Sequence, residues 1–190
     1  MAFPTVKPTR ADVAVANEIS AHVSPGVERA AQTLTWGADE HVLLALSIAG
    51  WLYAQRRRPE AKPIANHLLA VSLVTTVLTH ILKSVFDQTR PDRLTVRGHW
   101  RGIPTSGRAR DAFPSGHATH MGALASAAGL LPPGRRHLAR GLAIGLSLTR
   151  ITLLAHWTSD VLAGFALGVT VERLLRPLTL TRPRKERRSQ

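Results

Sequence analysis

Three groups of polar residues in this 190-residue chain have types and spacings suited to handling an anion. Lys83 and Arg90 are seven positions apart, two helical turns, so a continuous helix would carry both cations on one side. Pro114-Ser115-Gly116-His117 precedes a run of small apolar residues. Ser115 suits a helix N-cap, and His117 then falls in the first turn, where free N–H groups and the helix dipole favour negative charge. Arg150 interrupts an apolar stretch, a costly placement that by default marks function. His156 and Asp160 follow it four apart, a spacing that lets a carboxylate reach an imidazole. Each group has a plainer reading: Lys83 and Arg90 as snorkelling residues, His156 beside Trp157 as an interfacial pair, His117 as a bystander in a capped helix. His117 and His120, three apart, could suggest a metal pair, but Asp111 is the one carboxylate close in sequence and no metal site is expected. His22, His41, His67, His80, His99 and His137 have no evident constellation and read as structural or surface residues.

The elements that must position these residues are apolar. Residues 63–82 and 112–134 contain no Asp, Glu, Lys or Arg, and both approach the roughly 20 residues needed to cross a bilayer. Shorter apolar stretches lie at 41–54, 141–157 and 161–171. Together they predict an all-α, polytopic membrane bundle with about five transmembrane helices, near 39–55, 64–83, 116–132, 138–155 and 157–176. Residues 1–38 are too polar to span and predict an interfacial helix or helix pair broken near Pro25-Gly26. The domain reading is a single unit over 1–180: interfacial segment 1–38, bundle 39–176 with a long functional loop at 84–113, then a basic disordered tail at 181–190.

Charge supplies orientation. The chain has 25 Lys+Arg against 12 Asp+Glu, a net +13 that implies an anionic partner: nucleic acid, anionic lipid or a phosphorylated substrate. The basic connections 56–62 and 134–140 and the tail fall on one side of a five-span bundle, which the positive-inside rule assigns to the cytoplasm. The three polar groups then gather on the opposite, outer face, with loop 84–113 and its six arginines. The chain contains no cysteine, so disulfides and thiolate metal sites are excluded, and its first ten residues lack the apolar core of a secretory signal.

"KSVFDQTRP" (83–91), "PSGH" (114–117) and "TRITLLAHWTSD" (149–160) resemble the three signature motifs of the type 2 phosphatidic acid phosphatase family, K-x6-RP, PSGH and SR-x5-H-x3-D. Ten specified positions match in order, and Thr149 stands where the pattern has Ser, with a hydroxyl retained. The resemblance implies a phosphatase that works without a cofactor or metal. Lys83, Arg90 and Arg150, aided by the Ser115 hydroxyl and the Gly116 N–H, would bind the phosphate oxygens. His156 would be the nucleophile and form a phosphohistidine. Asp160 would orient His156, and His117 would serve as general acid and then base. Asp87 and Asp92 stand close enough in sequence to orient the arginines, with no role assigned to either.

The implied partners are the bilayer and a phosphorylated lipid. Phosphatidate, phosphatidylglycerol phosphate, a polyprenyl diphosphate and a lipid A phosphate all qualify. The Ala-, Arg- and Pro-rich composition, that of a GC-rich bacterial genome, favours a cell-envelope lipid and puts polyprenyl diphosphate slightly ahead. The expected location is the inner membrane, with the site facing the periplasm and the tail in the cytoplasm; oligomeric state is not legible. Three other readings share features of the chain. A soluble acid phosphatase or vanadate-dependent haloperoxidase has a similar anion pocket, but the apolar spans argue against it. A basic nucleic-acid-binding module would match the charge, but the basic residues are scattered between apolar helices, and no nucleic acid is expected. A transporter or scaffold could use the pocket without hydrolysis, but the full catalytic set argues for an enzyme.

Overall fold

The computed structural model describes residues 4–91 and 111–180. The expectations for Asp92, His99, the arginines of loop 84–113 beyond Arg90 and the tail fall outside them. The described residues form α1 (Arg10–His22), α2 (Pro25–Leu34), α3 (Glu40–Arg57), α4 (Lys62–Val85), α5 (Gly116–Ala127), α6 (Pro133–Thr152) and α7 (Thr158–Leu180), with single 3-10 turns at Thr35–Ala38, Pro59–Ala61 and Ala128–Leu130.

The bundle is inverted relative to a water-soluble one. Its interior is small or polar, with Ala38, Ala118, Ala123, Ala125, Ala143, Thr75, Thr79, Thr119 and Ser147 all buried. Its exterior carries Leu46, Leu52, Leu73, Val77, Ile81, Leu142, Leu148, Leu162, Leu174 and Leu178. Lipid tails are as apolar as leucine, so large aliphatic side chains gain little by facing inward, and helices associate through small residues and polar bonds instead. At 24 residues α4 is about 36 Å long, enough to cross the ~30 Å hydrocarbon layer. Among the described residues, Pro59–Val85 is the one helical stretch both long and apolar enough by composition alone; α5 is too short at 12 residues.

Helix α5 sits at the centre, packed on α7, α6 and α4. A Cβ added at Gly168 would collide with the Thr119 carbonyl and the Ala123 nitrogen, and one at Gly122 with the Phe165 carbonyl. Only glycine lets the two backbones approach so closely. The expected third span, 116–132, is therefore shorter than its composition suggests. The α-helix stops at Ala127 after 12 residues, about 18 Å, and a 3-10 turn and Pro132-Pro133 end the run. The basic connection 134–140 differs too. It forms the first turns of α6, because Pro133 occupies a first-turn position where its missing N–H costs nothing.

At the end of the bundle away from the Ser115–His117 turn, α4, α5 and α7 are clasped by a buried polar network. His67 binds Thr179 Oγ1 at 2.6 Å and Glu172 Oε1 at 3.0 Å. Glu172 also accepts from Ser126 Oγ at 2.5 Å and Arg176 Nε at 2.8 Å. Inside a bundle such bonds replace the hydrophobic force that membrane helices lack.

The amino-terminal segment, whose side was open from the sequence, lies with the three motifs. Val6 N–H donates to the Asp87 carbonyl at 3.0 Å, and the Asp87 N–H donates to the Pro4 carbonyl at 3.2 Å. The expected helix pair is α1 and α2, the second capped by Ser24 with Pro25 in its first turn.

Candidate active site

Lys83 lies in the last turn of α4, which ends at Val85, so Arg90 stands beyond the helix and not on a shared face of it. Ser115–His117 open α5, Arg150 lies in the last turn of α6, His156 in the turn before α7 and Asp160 in the first turn of α7. Ser115 is the N-cap of α5, as its place before Gly116 predicts: its Oγ accepts from the Ala118 N–H at 3.4 Å. Its own N–H donates to the Asp160 carbonyl at 3.2 Å, tying two motifs together. Gly116 opens the helix. Lys83 Nζ lies 3.9 Å from the point a Gly116 Cβ would occupy, so the ammonium and the helix N-terminus face one another. His117 follows on the same turn.

Arg90 is buried and fixed at both guanidinium ends. Nη1 donates to the Ala155 carbonyl at 2.7 Å, and Nη2 binds Asp111 Oδ1 at 3.0 Å. Nη1 also lies 3.4 Å from His156 Nε2. Arg150, equally buried, donates through Nη1 to Thr35 Oγ1 at 3.1 Å, and its carbonyl accepts from the Ala155 and His156 N–H groups at 3.0 and 3.3 Å. The Nε of each arginine is buried without a partner among the described residues, a donor left for an anion.

The turn between α6 and α7 is tight. Leu154 adopts φ 51°, the left-handed region, which costs a non-glycine residue about 1–3 kcal/mol. The 1% exposed Leu154 side chain, packed with Ala16 and Trp157, retains it there. The Trp157 indole donates to the Thr89 carbonyl at 2.8 Å, joining this turn to the segment just before Arg90.

His156 departs from expectation in one detail. Its Nδ1 stands 3.8 Å from Asp160 Oδ2, too far for a hydrogen bond, and binds the Ala112 carbonyl at 2.7 Å. A carbonyl only accepts, so Nδ1 carries the proton and Nε2 keeps its lone pair. Asp160 Oδ2 instead accepts from the Trp157 N–H at 2.9 Å, capping α7. The imidazole is thus oriented by backbone, while the Asp160 side chain fixes the turn. Burial, then the charges of Arg90, Arg150 and Lys83, hold His156 well below its ordinary value of 6.5, so it is neutral at pH 7.

Four residues that motif reading passes over also build the site. Thr35 and Asp111 hold the two arginines. Asp12, 2% exposed, accepts from the Ser159 N–H and Oγ, both at 2.8 Å, and from the Thr9 N–H and Oγ1 at 2.9 and 2.8 Å. Glu40 lies against Gly116, its Oε2 3.1 Å from the position of a Gly116 Cβ. The one sequence signal for Asp12 is the Thr9–Asp12 capping box, which speaks only of α1. His120, by contrast, is bonded to the Thr75 and Thr76 hydroxyls at 3.3 and 3.2 Å, one turn below the site.

The arrangement can receive a tetrahedral oxyanion among three cations and a helix N-terminus and present a neutral imidazole nitrogen to it. Comparison with known proteins shows the family. The PAP2 superfamily matches residues 64–184. Lipid A 1-phosphatases of Rhizobium etli and Rhizobium johnstonii are each 34% identical over 155 residues, which span 75% of this chain and 67% and 64% of theirs. The fold resembles that of a transmembrane PAP2-type phosphatidylglycerolphosphate phosphatase from Bacillus subtilis, with a TM-score of 0.73 and 22% identity over 93% of this chain and 88% of that one. It also resembles LpxE of Aquifex aeolicus, with a TM-score of 0.71 and 20% identity over 90% of this chain and 97% of that one. With its motifs assembled on a helical membrane bundle, this chain belongs to the PAP2 superfamily and is a phosphoric monoester hydrolase.

Proposed function

We propose that the chain removes the terminal phosphate of a membrane lipid through a phosphohistidine on His156. The observation that carries this reading is the placement of that side chain: a buried imidazole whose Nδ1 is tied to the Ala112 carbonyl and whose Nε2 faces Arg90. Phosphoryl transfer spreads charge over three equatorial oxygens with nucleophile and leaving group in line. Lys83, Arg90 and Arg150 neutralise that charge, with the Ser115 hydroxyl and the Gly116 N–H as further donors. His156 Nε2 attacks phosphorus as the ester P–O bond breaks. His117 gives its proton to the departing oxygen. His117 then takes a proton from water, the hydroxide attacks phosphorus, and the N–P bond breaks to release phosphate and restore His156. Asp160 stabilises the positive charge that His156 acquires, across 3.8 Å and through the turn it caps.

Three protein cations supply what a metal ion supplies elsewhere, so turnover is expected to persist in EDTA. The positive-inside distribution of basic residues supports a site facing the periplasm across the inner membrane, with the tail in the cytoplasm. Residues 1–180 act as one domain. The Rhizobium relatives favour a lipid A-type phosphate over the polyprenyl diphosphate that composition put ahead.

The test is phosphate release by detergent-purified protein in EDTA. The panel is lipid A 1-phosphate, phosphatidate, phosphatidylglycerol phosphate, a polyprenyl diphosphate and a soluble aryl phosphate, with His156→Ala as blank. Release from a lipid, lost in the variant, is the expected result. Acid quenching during turnover should trap acid-labile phosphate on the wild-type protein alone. Release from the aryl phosphate only, or undiminished release by His156→Ala, would overturn the reading.

A further inference from the structure

Glu40 is the first residue of α3, where a carboxylate ordinarily complements the helix dipole from the surface. Asp39 already caps this helix, accepting from the His41 and Val42 N–H groups at 3.0 and 3.1 Å. Glu40 turns inward instead. Its side chain is 15% exposed, its Oε1 lies 3.5 Å from His80 Nε2, and its Oε2 is buried with no hydrogen-bond partner among the described residues. A carboxylate oxygen so placed costs free energy unless something donates to it.

What Oε2 faces is the phosphate site. It lies 3.1 Å from the point where a Gly116 Cβ would stand, with Thr79 Cγ2 at 3.3 Å and Lys83 Nζ at 3.9 Å from that same point. His117, the general acid of the proposed reaction, is the next residue. His156, the proposed nucleophile, stands with Arg90, whose Nη1 lies 3.4 Å from its Nε2. In-line displacement puts the leaving oxygen on the side away from the nucleophile. His117 serves that oxygen in the proposed reaction, so an unpaired acceptor beside Gly116 is placed to meet what the phosphate is attached to.

We propose that Glu40 is a specificity determinant: its Oε2 accepts a hydrogen bond from a hydroxyl or amide N–H on the leaving group and rejects leaving groups that carry a second phosphate. The assignment rests on the reading of the site as a lipid phosphatase. A sugar or polyol offers donors that satisfy the carboxylate, and a site built around a polar partner discriminates strongly against analogues that lack it. A diphosphate offers only acceptors and negative charge, and like charges set side by side are penalised. The substrate class is thus a lipid whose phosphate is esterified to a hydroxyl-rich or amide-bearing headgroup. His80, 57% exposed, holds the other carboxylate oxygen from the rim.

The test compares two lipids in one assay, lipid A 1-phosphate and a polyprenyl diphosphate, for wild type and Glu40→Gln. The wild type should prefer the sugar phosphate. The neutral amide should lower kcat/KM for the sugar phosphate and raise it for the diphosphate, moving their ratio by about tenfold or more. Loss of the Glu40 charge also alters the field at Lys83 and by itself favours the more highly charged diphosphate, so the charge-retaining Glu40→Asp is needed to isolate the hydrogen bond to the leaving group. Inhibition by inorganic phosphate and pyrophosphate gives a second readout: Glu40→Gln should bind pyrophosphate more tightly relative to phosphate. Glu40→Asp, which keeps the charge but withdraws it, should lose sugar-phosphate preference without gaining pyrophosphate affinity. An unchanged ratio in Glu40→Gln, or a wild type that prefers the diphosphate, would overturn the assignment and leave the phosphatase reading intact. A wild type inactive on every lipid would overturn both.

Discussion

Removing the Asp12 carboxylate should slow the chemical step although Asp12 contacts no motif histidine. Two of its four hydrogen bonds, at 2.8 Å each, go to Ser159, the residue before Asp160 in the turn that carries His156. Hydrogen bonds to a charged group contribute about 1.5–3 kcal/mol each, so the Ser159 pair is worth roughly 3 kcal/mol even at the low end. Asp12→Ala strands the Ser159 N–H and removes the tie between α1 and α7. Ala16 and Val13, packed against Leu154 and Trp157, would loosen with it. Displacing a reacting atom by about 1 Å can cost about a hundredfold in rate. The expected outcome is a ten- to hundredfold fall in kcat with a smaller rise in KM, because Arg90 and Arg150 touch the same turn but are held independently by Asp111 and Thr35. Asp12→Asn, which keeps one acceptor oxygen, should fall between. The assay is steady-state phosphate release beside thermal unfolding in detergent. A lowered melting temperature with wild-type kcat would refute the positioning argument and leave α1 a stabilising strap.

Two further outcomes follow from packing and charge. Gly168→Ala should cost several kcal/mol or prevent folding, since overpacking typically costs about 1–3 kcal/mol and here the obstruction is helix backbone. Gly141→Ala, with nothing within 4 Å of its Cβ, is the control, and equal melting temperatures for the two would refute the close-approach account. Stability should fall as pH drops below about 6.5, because His156 protonates readily in the unfolded chain but not in its buried, cation-flanked site. Asp12 has the same sign at lower pH. Burial alone would raise its carboxyl, but bonds from Ser159 and Thr9 outweigh that and hold it below 3.8, so its contribution is present above that value and lost as pH falls through the lowered one. A melting temperature flat from pH 7.5 to 5.5 would refute the histidine argument.

The site was legible in unequal parts. Ser115 capping α5 follows from Pro-Ser-Gly-His alone, because capping is local chemistry. The bundle followed from charge-free runs such as 63–82, which need only length and composition. The end of α5 was misplaced because residues 128–132 are as apolar as those before them, and composition does not separate an α-helix from the 3-10 turn that follows it. The His156–Asp160 spacing suggested a direct bond that a regular helix would allow. The two residues are separated by the start of α7, and Trp157 takes the carboxylate instead.

By itself the sequence determined the helical class, the membrane setting, the family and the order of the motif residues, since each rests on residue type, spacing or run length. Only the tertiary structure decided which atoms serve the imidazole, and that Ala112, Thr35, Asp111, Asp12 and Glu40 share its surroundings. Asp12 and Ser159 are 147 positions apart, and Thr35 and Arg150 are 115 apart. Partners so distant meet because small residues let α5 and α7 close on one another, and no local pattern encodes which side chains that closure brings face to face.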